Sequence, residues 1–230
     1  MIARLEIACF SPDSALVALK AGAHRIELCG GPVSSGGLTP SRHDLKRVKE
    51  AAGGVPIHVM IRPRAGNFTY TKDEITAMEA SMAELDALAD GFVFGALDDE
   101  NEVDVSYCVG LSVAAGRTKP CIFHRAIDET KNYVQALNVI RDLDFTGVLT
   151  SGTKQTAAEG VADIIDAVAA VGDKVEIVVG GGVRSNNLPQ LVLQTGAAWY
   201  HSSALVNGIE LADTDEIIKM LKILEGGDDF

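Results

Sequence analysis

A chain of 230 residues can bury a sizeable core and falls in the range of single-domain α/β barrels, so length alone forces no division into domains. With 47% hydrophobic and 23% charged residues the composition is that of a folded globular protein, and a net charge of -12 with no offsetting run of Lys or Arg argues against nucleic acid as a partner. The opening MIARLEIACF lacks the charged start and long apolar run of a secretory signal, and no stretch approaches the roughly 20 apolar residues that span a bilayer, so no membrane partner and a cytoplasmic location are expected.

Along the chain, short apolar runs rich in β-branched residues alternate eight times with longer amphipathic segments. The runs predict strands at Leu5 to Ala8, Arg25 to Cys29, Ile57 to Ile61, Phe92 to Gly95, Cys121 to His124, Gly147 to Thr150, Glu176 to Val179 and Trp199 to Ser202. Between them, helices are expected at Pro12 to Ala21, Ser41 to Ala52, Lys72 to Ala89, Val105 to Ala115, Tyr133 to Leu143, Ala157 to Val171, Asn187 to Gln194 and Thr214 to Leu224. Such alternation favours a parallel sheet with right-handed crossovers, and eight units in this length predict a TIM (β/α)8 barrel forming one domain over residues 1–225, with an open doubly wound sheet as the alternative. The closing GGDDF, residues 226–230, is expected to be a disordered tail.

In such a barrel the βα loops meet at the C-terminal ends of the strands, so those ends can be read as a list of site candidates. Glu6 in LEIA and Glu27 in RIEL interrupt apolar strands and need Arg or His partners, either as structural ion pairs or as site carboxylates. Arg62 and Arg64 flank Pro63 and are positioned to face an anion or those carboxylates. FHRAID supplies His124, Arg125 and Asp128, with Asp128 spaced to orient His124 for acid or base work, against the alternative of a satisfied core histidine. Ser151 and Gly152 end the sixth strand, and Gly181, Gly182, Ser202 and Ser203 occupy the corner where barrels often bind phosphate, or form tight turns with no ligand, while His201, in place of a small residue there, is expected to face the pocket and contact substrate or metal. Residues 65–72, with Phe68 and Tyr70, are candidates for a lid over the mouth.

The four cysteines form no CxxC pair, so reduced thiols rather than a zinc ribbon or disulfide framework are expected, with Cys108 and Cys121 as buried structural thiols and Met60 as core filler. Only Cys9 and Cys29 lie at neighbouring strand ends, where a soft ion such as Cu(I) would need converging thiolates. Cys9 lies three residues beyond Glu6 and so is expected on the opposite face, whereas Cys29 shares the face of Glu27.

The segments RIELCGG, GGLTPS, MIRPRAGNFTY, FHRAID, LTSG and HSSA, in this order and almost end to end, make the chain similar to the CutC copper-homeostasis family. The resemblance implies a TIM barrel that self-associates as a dimer or higher homo-oligomer, and a Cu(I)-handling role through cysteines at the ends of the first two strands. The second of these matches Cys29; the first falls on Ala8, and Cys9 sits one place later, on the other face unless the strand end bulges. Glu6, Glu27, Arg62, Arg64, His124, Arg125, Asp128 and His201 fall on matching motifs. Two functions are therefore expected to compete, ahead of a third reading as an oligomeric scaffold with a vestigial site. One is cytosolic copper homeostasis with a copper ion as partner. The other is an enzyme doing acid/base chemistry on a small anionic or phosphorylated, sugar-like substrate, with no nucleotide cofactor indicated.

Overall fold

The computed structural model describes residues 3–116, 118–206 and 208–226. All eight expected strands form: β1 (Arg4–Cys9), β2 (Arg25–Leu28), β3 (Ile57–Met60), β4 (Gly91–Phe94), β5 (Cys121–Phe123), β6 (Gly147–Thr150), β7 (Glu176–Val179) and β8 (Trp199–Ser202). Every neighbouring pair is parallel, and β8 returns to pair with β1, setting Glu6 opposite His201. That closure rules out the open doubly wound sheet.

Among the described residues eight α-helices cover the barrel: α1 (Pro12–Ala21), α2 (Arg42–Ala51), α3 (Lys72–Leu85), α4 (Val105–Ala114), α5 (Tyr133–Asp142), α6 (Val161–Val171), α7 (Leu188–Thr195) and α8 (Thr214–Leu224). Their starts follow local capping chemistry. Ser11 accepts from the Ser14 amide just ahead of Pro12, and Thr71 and Glu74 satisfy each other's backbone in a capping box. The sixth helix begins at Val161, not at Ala157 as its pattern predicts. Residues 151–160 instead wrap across the strand ends, and the Ala157 amide donates to the Gly181 carbonyl at 2.8 Å. Of the expected tail, only Gly226 lies within the described residues.

Strand alternation divides the apolar residues into two clusters. Leu5, Ile7, Cys9, Ile26 and Leu28 join the shell between barrel and helices, while Cys29, Met60, Val93, Ile122, Leu149, Val178 and Trp199 fill the barrel interior. Polar groups of the same phase as the second set therefore face the barrel interior, with Glu27 and His201 reaching the mouth and Arg25 and His58 the opposite end.

Candidate functional site at the barrel mouth

The strand register places Glu6 beside Arg25 on one side and His201 on the other. Arg25 Nε donates to Glu6 Oε2 at 2.5 Å, and His201 Nδ1 lies 2.6 Å from Glu6 Oε1. Beneath them Trp199 packs its ring 3.8 Å from the Arg25 guanidinium. Burial alone would raise the Glu6 carboxyl, but Arg25 and His201 outweigh it and hold the group well below the ordinary carboxylate range. Sequence reasoning expected an Arg or His partner for Glu6 without finding Arg25. The signal was its spacing, since Arg25, Glu27 and Cys29 share one strand phase.

Glu27 is the second carboxylate of the interior. Burial raises its pKa, with His201 pulling the other way, and its Oε2 has no hydrogen-bond partner. Its Oε1 accepts from the Cys29 thiol at 3.4 Å. Burial, with Glu27 adding to it, pushes the Cys29 thiol well up. Glycine is required at position 37, where φ is +89° and a Cβ would stand 2.9 Å from Cys29 Sγ.

Cys9 does not join this group. Its thiol belongs to the outer shell and hydrogen-bonds the Ile7 carbonyl, so no bulge rescues it as a metal ligand, and Ala8 lines the mouth in its place. One thiol faces inward here, not two. The donors that converge most closely are Glu6, Glu27 and His201, whose ligand atoms lie within 4.8 Å of one another. His201 is lifted above the ordinary histidine value by Glu27 and Glu6, against the opposing effect of burial.

The cavity above these groups encloses about 250 Å³. His124, Arg62, Phe68, Arg125 and Arg184 form part of its wall. His124 sits where the FHRAID motif places it, but its expected partner is engaged elsewhere. Asp128 accepts from Arg125 Nε at 2.8 Å, from Thr150 Oγ1 at 2.5 Å and from the Ser151 amide at 3.1 Å, because the chain turns into a short 3-10 helix immediately after His124. His124 Nδ1 instead accepts from the Ala126 amide at 3.3 Å, the ring tilts against Phe68 at 4.7 Å, and Nε2 is buried without a partner. Burial, reinforced by Arg62, lowers its pKa to about 3, so the imidazole is neutral at physiological pH and presents Nε2 as a donor.

The two arginines of IRPR diverge. Arg62 lies under Phe68 and donates to the Gly66 carbonyl at 2.7 Å, leaving its buried Nε free. Arg64 faces away from the cavity, pairing with Glu74 at 2.5 Å and bonding the Thr69 carbonyl, so it braces the loop instead of contacting a ligand. Phe68 covers part of the mouth, but Tyr70 packs into the core beneath the loop, so it is not available as a cover.

At the β7–β8 corner Gly181 and Gly182 take φ of +98° and +75° and line the cavity. Ser151 does not line it; its hydroxyl bonds Asp128, Arg125 and the Lys154 carbonyl. Arg184, overlooked in the GGGVRSNN run, donates to Ser202 Oγ and Ser203 Oγ at 3.0 Å each, so both serines support a guanidinium at the pocket edge.

The CutC family model matches residues 3–206. A human protein named copper homeostasis protein cutC homolog is 40% identical over 202 residues, covering 87% of this chain and 72% of that one. A CutC family protein of Salmonella enteritidis is 43% identical over 204 residues, covering 88% and 80%. Among solved structures, a CutC protein of Streptococcus agalactiae superposes with a TM-score of 0.82 at 30% identity, covering 88% of this chain and 99% of that one. Phosphoribosylanthranilate isomerase of Thermotoga maritima shares the fold alone, with a TM-score of 0.63 at 16% identity, covering 97% and 99%.

Proposed function

The chain belongs to the CutC family, and on that footing we propose that it serves copper homeostasis in the cytoplasm by binding Cu(I) as cargo through Cys29. The observation that carries this reading is the Cys29–Glu27 contact at 3.4 Å on the inner barrel wall. Cu(I) takes a thiolate, so the thiol must give up its proton, and Glu27 is the carboxylate placed to receive it. Met60 shares the interior cluster with Cys29 and offers a soft thioether neighbour. The test is an anaerobic Cu(I) competition titration of the wild type, Cys9→Ser and Cys29→Ser against a chelator of known affinity. Loss of tight binding in Cys29→Ser with retention in Cys9→Ser supports the reading, and unchanged affinity in Cys29→Ser overturns it.

A second reading is an acid/base enzyme for a small anionic substrate. It is favoured by three buried, unpartnered polar atoms on residues of one cavity wall: Glu27 Oε2, Arg62 Nε and His124 Nε2. Its roles are Glu6–His201 as the proton-moving pair, and Arg62, Arg125, Arg184 and the Gly181–Gly182 turn as the anion-facing edge. Turnover of a phosphorylated metabolite that is lost in His201→Gln but kept in Cys29→Ser supports this reading; no turnover across a broad panel removes it.

Self-association with further copies of the chain is part of the proposal. Val105, Val109 and Val113 leave one face of α4 apolar and exposed, which suits an interface between copies. A monomeric mass by light scattering at micromolar concentration would refute it.

A further inference from the structure

We propose that Glu6, Glu27 and His201 form a site for a divalent first-row metal ion, separate in its ligands from the Cys29 thiol and with its open coordination positions facing the cavity. Their ligand atoms already lie within 4.8 Å of one another. Glu27 Oε2, on a side chain only 3% exposed, has no partner among the described residues. An acceptor with two lone-pair sites left bare in a buried interior is costly unless something positive meets it.

Charge leads to the same place. Glu6 and Glu27 carry two negative charges and Arg25 supplies one positive, so the interior is one positive charge short of balance whenever both carboxylates are ionised. A proton shared with His201 restores it; a divalent ion turns the deficit into an excess of one, which an anionic ligand entering from the cavity would balance. Arg25 holds Glu6 by Oε2, which leaves Oε1 for an ion, and Oε1 is the oxygen that faces His201 Nδ1 at 2.6 Å. Two ligand atoms bound at about 2.0–2.2 Å to one ion stand roughly 3 Å apart, so an ion takes the place of the shared proton with under about 1 Å of opening. Two carboxylates and an imidazole are harder donors than thiolate, which selects Mn(II), Co(II) or Zn(II) over Cu(I). Three protein ligands beside a cavity are also the arrangement that leaves room for water or substrate on the ion.

The two readings share Glu27, which accepts the Cys29 proton in one and offers its unpartnered Oε2 in the other, but the ions take different ligand sets, the thiol for Cu(I) and Glu6, Glu27 and His201 for the divalent ion. The test uses the full chain titrated with Co(II), read by its visible absorption, and with Mn(II), read by loss of the free-ion magnetic resonance signal. One equivalent binding with no thiolate-to-cobalt charge-transfer band is expected, unchanged in Cys29→Ser and weakened at least about tenfold in His201→Gln and Glu27→Gln. Circular dichroism confirms that each variant is folded, and the charge-transfer criterion is read on the wild type, so it does not depend on any variant. No saturable binding by the wild type, a thiolate band, or equal affinity in folded His201→Gln and Glu27→Gln overturns the site. Loss of Cu(I) binding in Cys29→Ser with retained Co(II) binding separates the two sites; loss of both ions in Cys29→Ser rejects the divalent site alone.

Discussion

Cys9 and Cys29 are joined by a backbone hydrogen bond of 2.8 Å, yet their thiols lie on opposite sides of the barrel wall. The strand period is two, so a thiol displaced by one residue leaves the mouth entirely. Ala8→Cys is therefore expected to place a second thiol at the mouth and tighten Cu(I) at least about tenfold, as a second soft ligand should. Competition titration reads this directly, and an affinity equal to that of the wild type would mean that position 8 does not reach the ion.

Removing the carboxylate at Glu6 leaves Arg25, only 4% exposed, without its closest counter-ion. Glu6→Gln is expected to cost about 3–5 kcal/mol in urea unfolding at neutral pH. The Glu6 carboxyl is held below its unfolded value of 4.5, so its contribution is present above that pH and is lost as the pH falls below it. The deficit of Glu6→Gln relative to wild type should accordingly shrink as pH falls below 4.5, and a constant deficit would contradict the ion pair.

His124 gives a separate acid signature. Its folded value of about 3 lies below the unfolded 6.5, so in this window the unfolded chain takes up a proton that the folded chain refuses. Stability should fall by roughly 1 kcal/mol per pH unit from this residue alone as pH drops from 6.5 toward 3. His58, lowered to about 4, adds a slope of the same sign. His201 acts oppositely and at higher pH: its raised value makes its contribution complete below 6.5 and lost as pH rises through the folded value. His124→Asn keeps an acceptor for the Ala126 amide and should flatten the limb between 6.5 and 4.5. A limb as steep as in the wild type would show that His124 is not buried neutral.

Arg64→Ala should cost about 1 kcal/mol through its partly exposed pair with Glu74 and its bonds to the loop, and should leave Cu(I) affinity unchanged. A change in affinity would place Arg64 in contact with the ligand.

Gly181→Ala is expected to destabilise by roughly 2–3 kcal/mol, since φ is +98° and the added Cβ would stand 2.8 Å from Ser151 Cβ. A neutral effect in urea unfolding would show that the corner yields easily.

Period and punctuation in the chain determine the elements and their order. Eight apolar runs of strand length, each followed by a helical pattern, favour a parallel barrel, and the pairing of β8 with β1 closes it; the β6, β7, β8, α1 and α8 boundaries coincide with their patterns because turn and capping residues flank them. Alternation also determines which strand residues share a face, and so puts Glu27 with Cys29 and sets Cys9 apart from Glu6. What only the tertiary structure decides is pairing across strands. Register between β1, β2 and β8 brings Arg25 and His201 to Glu6, the turn after β5 gives Asp128 to Arg125 and Thr150 in place of His124, and the loop after β3 gives Arg62 to the Gly66 carbonyl and Arg64 to Glu74. Partners for a buried charge are chosen by distances of a few ångströms between residues up to 195 positions apart, and a one-dimensional pattern holds no record of those distances.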